Sequence, residues 1–163
     1  MSGRPVKSRI KERLVSILSK RRVSYGYELF RLYEKFYSKT NLRNIYYNLK
    51  RGVASGELLV IDVKRELGDY SWGDEVERIY YTLGPYAEVV DNNLNLKPAE
   101  LKPDLSNEFN RLIFNLKSDS KKSSNKQRVI NRCNKLISWV KKSFENPNQL
   151  IKEVEQVKNT LSP

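Results

Sequence analysis

The sequence predicts a mostly α-helical protein with one small β-hairpin wing, arranged as a winged helix-turn-helix that is followed by C-terminal helices. Two patterns lead to this fold class. Apolar residues recur every three or four positions in three consecutive segments of the first 51 residues, which is the spacing of amphipathic helices. Two segments rich in β-branched and aromatic residues follow, separated by a polar loop with glycines. Three helices and then a hairpin is the order of elements in a winged helix-turn-helix.

Each of the three helices has an apolar row and recognisable ends. Ser24 is a plausible N-cap of the second helix, and Thr40 or Asn41 can cap the third. Gly52 and Gly56 are expected to mark the end of the third helix. The apolar rows are Ile10, Leu14, Ile17 and Leu18 in residues 6–19, then Leu29, Leu32, Tyr33 and Phe36, and then Leu42, Ile45 and Leu49.

The hairpin is predicted from strands over residues 58–63 and 78–83. The loop between them is acidic, with no Lys or Arg between Glu66 and Glu77. Pro85 suits the first position of a short fourth helix over residues 86–91. These elements give a winged domain over residues 1–91.

The rest of the chain is predicted as a linker over residues 92–104 and a helical region over residues 105–163. The polar stretch 118–126 is expected to be a mobile connection within that region. Two helices beyond it carry apolar residues at heptad spacing, and they either fold back within one chain or pair across a two-fold axis. The candidate dimerisation residues are Ile130, Cys133, Ile137, Val140, Phe144, Leu150, Val154, Val157 and Leu161.

Composition narrows the possible functions. The chain has no histidine and a single cysteine, so a zinc site built from Cys and His is excluded within one chain, and the commonest general base is absent. Lone carboxylates with no companion motif do not define an acid–base pair. We therefore expect no catalytic residues, no metal, no cofactor and no enzymatic activity. The lone cysteine fits a reducing cytoplasm. The sequence contains no run of 18 apolar residues, so no membrane span is predicted.

The positive charge is concentrated near the N-terminus. The chain has a net charge of +12, and residues 1–51 carry 14 basic and three acidic side chains, a net charge of +11. Residues 52–85 carry a net charge of −4. A basic segment of this size favours a polyanionic partner, and nucleic acid is the first candidate.

Three short segments resemble a known family when they are taken in order. They are Gly26-Tyr27-Glu28-Leu29, then Ile45-Tyr46 with Leu49-Lys50-Arg51 and Gly56-Glu57-Leu58-Leu59, and then Arg78-Ile79-Tyr80-Tyr81-Thr82-Leu83. They resemble the Gly-Tyr-Glu signature, the recognition helix and the return strand of the wing in PadR-like transcriptional regulators, with the MarR-like regulators a less similar relative. Gly52 stands where the family usually has an apolar residue, which predicts an early end of the third helix. The resemblance implies a winged helix-turn-helix that binds DNA and a homodimer held by helices outside it.

The third helix is expected to carry the base contacts, because this element of a helix-turn-helix enters the major groove. Arg suits guanine and Asn suits adenine, since each can form a bidentate pair there. Basic and hydroxyl side chains nearby are better placed to contact phosphates, although a solvated polar face is the alternative. Base contacts are predicted for Asn41, Arg43, Asn44, Tyr47 and Asn48. Phosphate contacts are predicted for Arg21, Arg22, Ser38, Lys39, Thr40, Lys50, Arg51, Lys64 and Arg65.

The sequence therefore predicts sequence-specific binding of double-stranded DNA by a homodimeric transcriptional regulator in the cytoplasm. Two alternatives stay open. The same fold could organise DNA in replication or plasmid partition. It could also bind a protein partner through the acidic wing, where Tyr70 and Trp72 lie.

Overall fold

The computed structural model describes residues 9–70, 73–91, 93–100, 103–122 and 124–161, without the side chains of residues 62–77. The chain divides into two compact units, Met1–Pro103 and Asp104–Pro163. The described residues are mostly helical and include one small antiparallel sheet. The predicted fold class is confirmed: a winged helix-turn-helix precedes C-terminal helices. No helix in the described ranges is long and apolar enough to cross a membrane.

The first unit has the element order of a winged helix. Its helices are α1 (Arg9–Arg21), α2 (Gly26–Phe36) and α3 (Leu42–Ser55), and its strands are β1 (Val23–Tyr25), β2 (Leu58–Tyr70) and β3 (Gly73–Leu83). The sheet has the order β1-β3-β2, and both pairings are antiparallel. Strands β2 and β3 form the wing, which is longer than the predicted hairpin.

The core of this unit gathers the apolar rows of the three helices against the base of the sheet. These side chains are removed from water, which supplies the main driving force for folding. Leu42 was predicted on the inner face of α3, but it lies at the first position of the helix and is exposed. The buried residues are Leu14, Val15, Ile17, Leu18, Leu29, Tyr33, Ile45, Leu49, Leu58 and Tyr81.

The start of α2 differs from the prediction. Ser24 lies in β1, paired with Tyr81, and the N-cap is Tyr25, whose side chain makes no capping hydrogen bond. The Ser24 hydroxyl instead donates to Glu28 Oε1 at 2.7 Å. The expected cap is wrong because the residues before α2 are used as a third strand.

The ends of α3 follow from Asn41 and Gly56. Asn41 Oδ1 accepts a hydrogen bond from the backbone N–H of Asn44 at 2.8 Å, which caps the helix as predicted. Gly56 ends the helix with a φ of 79°, a left-handed conformation that favours glycine. Gly52 does not end it early. A Cβ at Gly52 would lie 2.6 Å from Leu58 Cδ1, so the glycine lets β2 pack on the buried side of the helix.

No helix follows Pro85, contrary to the prediction. The backbone N–H of Gly84 donates to the Glu57 carbonyl at 2.8 Å, and that of Tyr86 donates to the Gly56 carbonyl at 3.3 Å. These hydrogen bonds tie the chain to the end of α3 in a turn, and residues 87–91 have no regular structure.

Part of the predicted linker packs on the first unit. Leu94 and Leu96 lie against its core. The backbone N–H of Ala99 donates to the Arg21 carbonyl at 2.8 Å, and the Arg21 guanidinium donates to the Lys97 carbonyl at 3.3 Å. Asn92, Leu101 and Lys102 of the same stretch lie outside the described residues.

The second unit contains α4 (Ser106–Lys122), α5 (Lys126–Ser143) and α6 (Asn148–Leu161), and each of these helices contacts the other two. Residues 118–122 belong to α4, so the prediction of a mobile connection is wrong for them. The buried residues include Phe109, Leu112, Leu116, Val129, Leu136 and Trp139.

The rows predicted to pair between two chains are largely buried within one. Cys133, Val140, Val154, Val157 and Leu161 are all buried in the single chain. The ring of Phe144 packs edge-on against those of Phe109 and Trp139, with centroids 6.2 and 5.7 Å apart. Ile130, Ile137 and Leu150 are half-buried. The rows need no second copy because α4 supplies the third apolar face, which is a correction to the predicted role of these residues.

This packing predicts the reactivity of Cys133. Burial raises the pKa of its thiol, and only the thiolate is nucleophilic. Alkylation by iodoacetamide should be more than about 100-fold slower in the native protein than in urea, because it requires local opening. The rate should be the same at sub-micromolar and at tens of micromolar protein.

An exposed thiol provides the control. A Ser143→Cys, Cys133→Ala protein, with its thiol at an exposed position at the end of α5, should react rapidly in the native state. Rapid alkylation of Cys133 only in dilute solution would mean that a second copy covers the thiol, and the single-chain bundle would be wrong.

Candidate nucleic-acid interface

The exposed face of α3 is polar, basic and aromatic. Successive helical residues are turned by about 100°, so one side of α3 enters the core and the other faces water. The helix contains no Asp or Glu. Its buried residues are Ile45, Asn48, Leu49 and Gly52. Its exposed residues include Leu42, Arg43, Asn44, Tyr46, Tyr47, Lys50 and Arg51.

The rotation of α3 is fixed by a close approach to α2. A Cβ on Gly26 would lie 2.5 Å from Tyr46 Cε1, so the first turn of α2 admits the tyrosine ring only because position 26 is glycine. Ile45 and Leu49, on the neighbouring face of α3, are completely buried. These contacts determine which residues of α3 face outward.

The start of α2 is held by Glu28. This carboxylate accepts hydrogen bonds from Arg21 Nε at 2.9 Å and from the Ser24 hydroxyl at 2.7 Å. Gly26 and Glu28, two residues of the Gly-Tyr-Glu motif, therefore have structural roles: one admits Tyr46 and the other joins α1 and β1 to α2.

Most of the predicted base-contacting residues lie on the exposed face. Arg43, Asn44 and Tyr47 are exposed in the first turns of α3, and Asn41 is exposed at its N-cap. The oxygen of Asn41 is engaged by the backbone of Asn44. The structure brings these four residues together around the start of the helix.

Asn48 is not on this face. Its side chain is 2% exposed, and its Nδ2 donates to the Asn44 carbonyl at 2.8 Å. A buried amide that hydrogen-bonds to its own helix cannot reach a base edge, so the predicted base contact is wrong. Asn48 faces the core, whereas Tyr47 and Lys50 are exposed to solvent.

The predicted phosphate-contacting residues near α3 are accessible to different degrees. Lys50 is exposed, and the exposed Arg51 lies over the Tyr47 ring, 5.8 Å from its centroid. Ser38 and Lys39 are exposed in the segment before α3, and Thr40 is half-buried. All five lie at or beside the exposed face of the helix.

Arg21 and Arg22 have different surroundings. The Arg21 guanidinium is bound to Glu28 and to the Lys97 carbonyl, so it stabilises the fold and is not presented to a phosphate. This corrects the prediction for Arg21. Arg22 is exposed with a φ of 71°, and its carbonyl accepts a hydrogen bond from the Thr82 hydroxyl at 2.7 Å.

The predicted wing contacts can be placed only by their backbone. Lys64 and Arg65 lie on β2, opposite Arg78 and Glu77 of β3. Their side chains, and those of the acidic residues nearer the tip, lie outside the described residues.

Leu42 and Tyr46 are two exposed residues of this face that the sequence prediction omitted. Leu42 had been placed in the core, and Tyr46 was noted only as part of a motif. The helical spacing carried a signal: Tyr46 follows Arg43 by three residues, so the two are neighbours on one helix surface.

Comparisons with known proteins do not identify the chain. No family model matches it, and no curated protein matches it. Among solved structures it is similar to PadR of Bacillus subtilis in complex with operator DNA, with 17% sequence identity, coverage of 97% of this chain and 96% of that chain, and a TM-score of 0.34. These values are too low to assign a family or a function.

The contrast between Asn48 and Arg43 gives a stability prediction. Asn48→Ala should lower the free energy of unfolding by about 1–3 kcal/mol, because it removes a buried hydrogen bond and leaves a small void. Arg43→Ala should change it by less than about 0.5 kcal/mol, because the side chain is exposed. Urea denaturation followed by circular dichroism measures both. Equal losses for the two variants would contradict the assignment of opposite faces.

Proposed function

We propose that this protein is a transcriptional regulator that binds double-stranded DNA sequence-specifically with the exposed face of α3, in the cytoplasm and without enzymatic activity. The observation that carries the proposal is the composition of that face. Arg43 and Asn44 lie exposed in the first turn of a helix that has no acidic residue, within a winged helix-turn-helix. In this fold the corresponding helix enters the major groove with its N-terminal residues toward the bases.

The chemistry of the side chains supports distinct roles. Arg43 can donate two hydrogen bonds to guanine O6 and N7, and Asn44 can pair with adenine N6 and N7. Lys50, Arg51 and Lys39 supply charge for phosphates, which fixes the position of the helix without reading sequence. The net charge of +11 over residues 1–51 would draw this end of the chain to DNA.

We also propose membership of the PadR-like family. The three sequence segments that resemble the family support it, and so do two contacts within them. Gly26 is required by the approach of Tyr46, and Glu28 joins Arg21 to Ser24. A motif whose residues hold the recognition helix in place has a physical reason to recur among proteins that share the fold.

The wing is proposed to contribute little to DNA affinity. Five acidic residues and no Lys or Arg lie from Glu66 to Glu77, and phosphates would repel such a tip. Lys64 and Arg65, nearer the base of β2, remain candidates for backbone contacts. The acidic tip also favours a second function, binding of a protein partner, which would leave the DNA-binding role of α3 unchanged.

A homodimer remains part of the proposal, because a single winged helix offers few base contacts and a two-fold pair doubles them. We propose that the winged domain binds DNA and that the helical C-terminal unit holds the dimer together. We place the interface on outer surfaces of α4, α5 and α6, because their inner rows are buried within the chain. Phe114 of α4, at 71%, is the most exposed large apolar side chain among the described residues of the second unit, so it is the first candidate.

Substitutions on α3 test the DNA-binding proposal. Arg43→Ala should weaken binding to a selected duplex by about 1–3 kcal/mol and relax the preference at one base pair, because it removes a bidentate contact. Lys50→Ala should weaken binding to all duplexes alike and reduce the salt slope of log K by about 1. Fluorescence anisotropy at several salt concentrations measures both effects.

Lys35→Ala, which removes an exposed lysine of α2, is the matched control and should have a smaller effect. If the Arg43→Ala protein keeps both its affinity and its base preference, α3 is rejected as the recognition helix. Absence of binding to any duplex by the unmodified protein would favour the protein-interaction alternative.

Sedimentation tests the assembly. The full chain at tens of micromolar should sediment as a dimer, and Phe114→Asp should shift it to a monomer, because a charge at an apolar interface is costly. Phe114→Leu, which keeps the side chain apolar, should remain dimeric. A monomeric unmodified protein would reject the dimer, and a dimeric Phe114→Asp variant would move the interface elsewhere.

A further inference from the structure

Large apolar side chains are concentrated on the exposed face of α3. Tyr47 is 61% exposed, Tyr46 is 43% exposed and Leu42 is 36% exposed, although exposed helix surfaces are usually charged or small. Their positions relative to Arg43 are specific. Tyr46 follows it by three residues and Tyr47 by four, so the two rings flank the guanidinium on the next turn.

Both rings are held by contacts within the first unit. The far end of the Tyr46 ring, with its hydroxyl, lies against Gly26, and 43% of the residue stays exposed. The guanidinium of Arg51 lies over the ring of Tyr47, 5.8 Å from its centroid. A tyrosine has only two side-chain torsions to immobilise, so these rings lose little conformational entropy when they contact a ligand, which favours their use in recognition.

The major groove of a duplex offers one apolar feature to such rings. Guanine, cytosine and adenine present hydrogen-bonding groups there, whereas thymine adds its C5-methyl group. Stacking on the base faces is blocked in a duplex, because the bases show only their edges. An aromatic side chain that enters the groove beside an arginine is therefore expected to make its apolar contact with a thymine methyl group.

We propose that Tyr46 and Tyr47 read thymine methyl groups next to a guanine contacted by Arg43, with Leu42 widening the apolar surface beside Tyr46. The proposal rests on the DNA-binding function proposed above and adds the chemistry of the preferred site. Side chains three and four residues apart on a helix have Cβ atoms about 5–6 Å apart. One base step along a strand is about 3.4 Å, so the thymines fall within about two base pairs of the guanine.

Replacing thymine by deoxyuridine tests this proposal, because it removes only the methyl group. Full-length protein is used to select duplexes from a random pool, and the best duplex is then synthesised with deoxyuridine at each thymine in turn. Each contacted methyl should contribute about fourfold in affinity, the value expected for burying one such group. The sensitive thymines should lie within about two base pairs of the guanine whose preference is lost in Arg43→Ala.

The side chains are tested with the same pair of duplexes. Tyr47→Ala should bind the thymine and deoxyuridine duplexes equally at the positions that Tyr47 reads, whereas Tyr47→Phe should keep the discrimination because the ring is retained. Tyr46→Phe and Tyr46→Ala form the corresponding pair, with circular dichroism used to verify folding. Tyr27→Ala removes a ring of similar exposure from α2 and should leave the discrimination intact.

The outcomes separate this inference from the proposed function. Equal binding of both duplexes by a protein that still prefers the selected sequence would overturn the thymine assignment and leave the DNA-binding function standing. Discrimination that survives in Tyr46→Ala and Tyr47→Ala would overturn the role of these rings. Failure to select any duplex would reject both proposals, and the exposed rings would then be a surface for a protein partner.

Discussion

The packing of α3 on the core, with Ile45 and Leu49 buried and Tyr46 set against Gly26, is the constraint on which the candidate interface depends. Because position 26 has no side chain, α3 packs against the first turn of α2 with its tyrosine ring on the α2 backbone. Together with the complete burial of Ile45 and Leu49, that contact sets the rotation of α3 about its own axis. Ile45, Asn48 and Leu49 then face inward, while Arg43 and Tyr47 face outward. A larger residue at position 26 would have to displace the Tyr46 ring.

A second set of contacts supports this one. Glu28 joins the end of α1 to the start of α2 through Arg21, and Ser24 adds a hydrogen bond from β1. Thr82 of β3 then donates to the carbonyl of Arg22, so the sheet is bound to the same corner. Charged and polar groups that could have served a ligand are used here to hold the helices in position. Arg21 and Glu28 are therefore engaged within the fold, whereas α3 and the segment before it present exposed basic and polar side chains.

The sequence of the first unit contains two segments of opposite charge. The exposed face of α3 has basic and amide side chains, whereas the wing sequence beyond Arg65 is acidic. A polyanion attracted to one region is repelled by the other, so the two regions would orient it. In this account the recognition helix supplies the affinity and the wing restricts the direction of approach.

The sequence predicted the elements with strong periodicity and missed those that depend on distant partners. The three helices, the hairpin and the cap at Asn41 follow from local spacing and local hydrogen bonding. Strand β1 has only three residues, and it pairs with β3, where Tyr80 lies opposite Tyr25. Because these paired residues are far apart in the chain, no local pattern revealed the strand. Arg21 and Asn48 were predicted in the site from their residue type and their position along the sequence. Each side chain is instead engaged by a partner within the protein: Glu28 binds Arg21, and the Asn44 carbonyl accepts a hydrogen bond from Asn48. The sequence alone does not reveal these partners, because they are set by the packing of the helices.

The C-terminal helices illustrate the same limit. Heptad spacing in α5 and α6 correctly indicated apolar faces but could not say what covers them. The contribution of α4 changed the answer, because a third helix with Phe109, Leu112 and Leu116 completes a core within one chain. The predicted apolar row of α5 is also displaced by one residue from the face that is buried. Ile130 and Ile137 were predicted in the row but are only half-buried, whereas Val129 and Leu136 are buried.

The central claim is that the exposed face of α3 enters the major groove, and methylation interference tests it most directly. Dimethyl sulfate modifies guanine at N7, which lies in the major groove, and adenine at N3, which lies in the minor groove. A selected duplex is lightly methylated, and the bound and free fractions are compared at each base. The account predicts that N7 methylation of the guanine contacted by Arg43 excludes the duplex from the bound fraction, and that the Arg43→Ala protein loses this interference. Interference only at adenine N3, or none at any guanine, would contradict entry of α3 into the major groove.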